Sequence, residues 1–143
     1  MNKEQLVNLV TLRNYINDKV APEHFDMKYF RADSNFKARF FKSFNDCGTV
    51  GCALGWLPFA LNEKYGDSFK TEVYTWGPSF FWKLSDKYLG ISVDSGLFDH
   101  LFGSDFTYCE YSYKRLSGKD QKQAFIERVD KFIAEKSKKL KEA

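Results

Sequence analysis

Fifteen consecutive residues, Cys47 to Leu61, carry no charge and are apolar or small on every side. Wound as a helix, they place Val50, Leu54, Leu57 and Leu61 on one stripe and Gly48, Cys52, Gly55 and Phe59 on another. A helix that is apolar all round is stable in water only when neighbours cover it completely, so the segment predicts a buried central helix over about residues 49–63. Gly51 and Gly55, four apart, let another element approach its backbone, and that packing has to offset a helix cost of about 1 kcal/mol per glycine. Pro58 lacks the amide hydrogen a continuous helix needs, and predicts a kink or a division into two short pieces.

Covering such an element takes amphipathic partners, and the flanking sequence supplies them. Over residues 3–18, Leu6, Leu9, Val10 and Ile16 recur near helical spacing, with Val20 beyond, until Pro22 ends the run. Pro78 suits the first turn of a helix bearing Phe80, Phe81, Leu84 and Tyr88, and Gly90 suits its left-handed end. Asp94 or Ser95 can cap a short helix with Leu97, Phe98, Leu101 and Phe102, closed by Gly103. Ser117, with Asp120 three residues on, opens a last helix whose inner face is Phe125, Val129, Phe132, Ile133 and Leu140; beyond Glu135 fraying is expected. Short helical turns are expected within Ala21–Phe44, an extended piece over Thr71–Trp76, and an aromatic loop or irregular strand over Asp105–Tyr113. The expectation is one mainly α domain over residues 1–143, with little or no sheet and a frayed tail at 136–143.

Composition supports a folded chain. At 143 residues there is room for one core, and fifteen Phe, eight Tyr and three Trp make the sequence aromatic-rich. The formal charge of +3 lies wholly in residues 119–143, which hold eight Lys/Arg and five Asp/Glu; residues 1–118 balance at fourteen of each. Lysines at a helix end favour the C-terminal dipole, so the charge needs no partner to explain it. No apolar stretch is long enough to span a bilayer, and no secretory leader is legible at the N-terminus, so no membrane association is expected. Three cysteines, an odd number, then fit reduced thiols in a cytoplasm.

The sharpest motif is Asp46-Cys47-Gly48-Thr49-Val50-Gly51-Cys52-Ala53-Leu54-Gly55-Trp56. It resembles a group of small bacteriophage and prophage-encoded proteins that share a Cys-Gly-Thr-x-x-Cys-x-x-Gly-Trp signature. In that group the signature typically follows a Phe-Asp-Met turn, here Phe25-Asp26-Met27, and a terminal helix closes the chain, as Gln121–Ala134 would here. The resemblance implies a phage or mobile-element origin, hence the cytoplasm of the host, and implies no particular activity.

Physically, the motif admits three readings. In a cysteine-dependent hydrolase, Cys47 (with Asp46 as cap) or Cys52 (with Thr49 as cap) would lie in a first helical turn, where the dipole lowers a thiol pKa, with His100 as base. His24 is the only other histidine. In a zinc site, Cys47, Cys52, Cys109 and a histidine would be ligands. Yet Cys47 and Cys52 on one continuous helix point about 140° apart, and no close ligand pair exists. In the structural reading, Asp46, Cys47, Gly48, Thr49, Gly51, Cys52, Gly55 and Trp56 build a capped core helix, with thiols acting as small buried hydrophobes. That reading accounts for every residue of the motif.

The leading functional expectation is therefore a non-enzymatic accessory protein that binds a host protein or small molecule, in counter-defence, with no cofactor and no metal. Phe106, Tyr108, Tyr111 and Tyr113 are the candidate binding residues, since amphipathic rings on a loop suit recognition. The runner-up is the hydrolase, and third is nucleic-acid contact by the basic C-terminal helix. The neutral body and scattered acids weigh against a broad phosphate footprint, so nucleic acid is not the expected partner.

Overall fold

The computed structural model describes residues 1–25, 53–65, 82–102 and 118–142. Among these residues the chain is mainly α-helical and forms no β-strand. Helix α1 spans Lys3–Lys19. Its start is fixed by a reciprocal capping box: the Gln5 amide donates to Asn2 Oδ1 at 2.8 Å, and the Asn2 amide donates to Gln5 Oε1 at 2.8 Å. Leu9, Leu12 and Ile16 are fully buried, and Leu6 and Val10 are half-buried. Pro22 then opens a 3-10 turn, Pro22–His24, as its fixed φ favours.

The uncharged segment is buried, and Pro58 divides it. A 3-10 turn, Leu54–Trp56, leads into α2, Leu57–Ala60, and a further helical turn covers residues 62–65. Pro58 has no amide hydrogen to give the carbonyl four residues back, and the Leu57 amide bonds instead to the Leu54 carbonyl three back. Ala53, Leu54, Trp56, Leu57, Pro58, Phe59 and Leu61 are all buried and Ala60 is half-buried; Asn62 begins the exposed part. Residues 49–52 of the expected helix lie outside the described residues.

A helical turn at 82–84 widens into a π-helical turn, Ser85–Leu89, where a regular α-helix is the simpler expectation. The wider turn puts Leu84, Ser85, Tyr88 and Leu89 inside together, and the Ser85 hydroxyl donates to the Ile91 carbonyl at 2.8 Å. Gly90 closes the turn at φ 67°, the left-handed conformation expected of it. Ser95 rather than Asp94 caps α3, Gly96–Phe102, through a 3.1 Å bond from the Phe98 amide to Ser95 Oγ.

Helix α4, Gly118–Glu142, is about 37 Å long at 1.5 Å per residue and is continuous through the lysine-rich end. Phe125, Ile126 and Val129 are buried, while Phe132 and Ile133 pack half-buried against the same core. It runs antiparallel to α1: Arg13 pairs with Asp130, and Lys122 reaches the Asn17 and Val20 carbonyls at the end of α1. All four described stretches feed one buried cluster. Part of the aromatic surplus strings through it, with ring centroids 5.9 Å apart for Phe25–Phe125, 6.2 Å for Phe125–Phe102 and 5.4 Å for Phe102–Phe98. Among the described residues no helix is long and apolar enough to cross a membrane. The expected turns within Ala21–Phe44, from Asp26 on, lie outside the described residues, as do Thr71–Trp76, Pro78, Phe80, Phe81, Gly103, Asp105–Tyr113 and Ser117.

Candidate functional site

Of the eight motif residues, the described structure contains Gly55 and Trp56, both in the Leu54–Trp56 turn. Trp56 is a core anchor, with its ring 5.6 Å from Phe59, edge to face, and 6.3 Å from Tyr15. Asp46, Cys47, Gly48, Thr49, Gly51 and Cys52 lie outside the described residues. So do Cys109 and the binding candidates Phe106, Tyr108, Tyr111 and Tyr113.

His100 sits near the C-terminal end of α3, exposed on the side that faces α4. Arg128 of α4 donates to the His100 carbonyl at 3.1 Å, a side-chain bond to an acceptor in the last turn of the helix. Partial desolvation first, then the charges of Arg128 and Lys131, hold the imidazole pKa below its ordinary value. The ring is therefore biased toward the neutral form. His24 is half-buried on the Pro22–His24 turn, where its amide donates to the Ala21 carbonyl. Among the described residues no three His, Cys, Asp or Glu side chains converge into a group able to hold a metal ion.

One constellation was not singled out from sequence. Asn8 is 2% exposed on the inner face of α1, and its amide donates to the Tyr88 carbonyl at 2.8 Å and to Tyr65 Oη at 3.2 Å. The Tyr65 hydroxyl donates in turn to Glu4 Oε1 at 2.7 Å. The Tyr65 and Tyr88 rings lie 4.7 Å apart, with the Lys64 ammonium 5.1 Å from the first centroid and the Lys87 ammonium 5.2 Å from the second. Bonds from Tyr65 and Lys64, together with the Lys64 charge, hold the Glu4 carboxyl below its ordinary pKa. These groups join three elements: α1, the 62–65 turn and the π-turn. Chemically they form a closed donor–acceptor chain whose clearest role is to lock those elements in register. The signal was present in the sequence: Asn8 is a polar residue on a face otherwise defined by Leu9, Leu12 and Ile16.

No known family model matches the chain, and no curated protein or solved structure is significantly similar to it.

Proposed function

We propose that this chain is a non-enzymatic accessory protein of the bacteriophage type, which acts in the host cytoplasm by binding a host protein or a small molecule, in counter-defence. The origin rests on the resemblance of the Cys47–Trp56 motif. The observation that favours binding over hydrolysis is the setting of His100. A cysteine nucleophile activated by histidine works as a thiolate–imidazolium pair, so the site must stabilise the imidazolium. Partial desolvation first, and then the charges of Arg128 and Lys131, act in the reverse sense on His100. Trp56 packed in the core likewise favours a structural role for the end of the motif.

The reading is tested with the purified, reduced chain in two assays. Thiol modification at neutral pH is expected to proceed at the rate of an ordinary cysteine and to be unaffected by His100→Gln. A hyper-reactive thiol that slows in that variant would support the hydrolase instead. Affinity capture from bacterial lysate, with mass spectrometry of proteins and metabolites, is expected to retain one dominant species. Combined alanine substitution of Phe106, Tyr108, Tyr111 and Tyr113 should release it, provided circular dichroism shows the variant to be folded. Retention undiminished by that variant would remove the aromatic segment as the binding surface.

A further inference from the structure

We draw no further inference here: the strongest candidate, the cluster of His100, Arg128 and Lys131 where α3 meets α4, rests on the lowered pKa of an exposed imidazole, and the contact described there, from Arg128 to the His100 carbonyl, engages the backbone and not the ring.

Discussion

Helix α1 is held along two seams that differ in kind. Toward α4 it shares one apolar cluster with Phe125 and Val129, and the side-chain contacts described there are exposed or only partly buried: Arg13 with Asp130, and Lys122 with the carbonyls of Asn17 and Val20. Toward the 62–65 turn and the π-turn, the polar contact is inside: Asn8, nearly inaccessible, binds the Tyr88 carbonyl and the Tyr65 hydroxyl. A rim bond can be exchanged for water when it breaks, whereas a buried amide or carbonyl that loses its partner keeps its desolvation cost. The two seams should therefore respond very differently to substitutions of similar size.

The largest effect is expected on the inner seam. Asn8→Ala removes both donors at once and deprives the Tyr88 carbonyl of the Asn8 bond; the cost should be about 2–3 kcal/mol, in the upper range for the loss of a buried hydrogen bond. Urea denaturation of the variant measures it. Tyr65→Phe should cost about 1 kcal/mol, because its hydroxyl is only partly buried and the Asn8–Tyr88 bond survives. If the two variants proved equally destabilised, the Tyr65–Glu4 link rather than the buried carbonyl would carry the seam.

Gly90 tests the same seam from its other side at somewhat lower expected cost. Its φ of 67° is strained for any residue with a Cβ, by about 1–2 kcal/mol. A Cβ would also stand 2.6 Å from Gln5 Oε1 and 2.9 Å from Gln5 Cδ. Gln5 could swing aside, but it is the residue that closes the capping box of α1 and binds the Lys87 carbonyl. Gly90→Ala should therefore cost about 2 kcal/mol in total and loosen the first turn of α1, which amide hydrogen exchange at Leu6 would report. Unchanged protection at Leu6 would show that Gln5 adapts without leaving the cap.

The contrast between seams also marks what was legible in the sequence. Burial of the 53–61 segment, its division at Pro58, the left-handed end at Gly90 and the cap at Ser95 all follow from local chemistry: missing charge, a missing amide hydrogen, a missing Cβ and a well-placed hydroxyl. The Asn2–Gln5 capping box belongs with these, since an Asn followed three residues later by Gln is a local pattern too. The Asn8 junction is different. Its partners lie 57 and 80 residues away, and no spacing rule connects residues at that distance. The π-turn was equally hidden, because the extra residue per turn answers to what surrounds Ser85 and Tyr88 rather than to their order in the chain. Of the candidate site, the role of Trp56 could be read from its neighbours in sequence. The setting of His100 could not, for it is made by Arg128 and Lys131 on another helix.

The smallest effect belongs to the outer seam, and its size decides whether the comparison holds. Arg13 and Asp130 have ideal geometry, a two-pronged guanidinium–carboxylate contact at 2.8 and 3.1 Å, yet their side chains remain 26% and 48% exposed. The bond to the Asp130 carboxylate raises the already high pKa of Arg13, so the guanidinium stays charged, and the strength of so exposed a pair responds to salt. Water competes for both groups, and holding the long Arg13 side chain in place costs rotamer entropy. A double-mutant cycle of Arg13→Ala and Asp130→Ala should give a coupling below about 1 kcal/mol, shrinking further at high salt. A coupling as large as the Asn8→Ala effect, and insensitive to salt, would mean that the rim of the α1–α4 seam is electrostatically closed. The distinction between an inner seam held by buried hydrogen bonds and an outer one held by apolar contact would then fail.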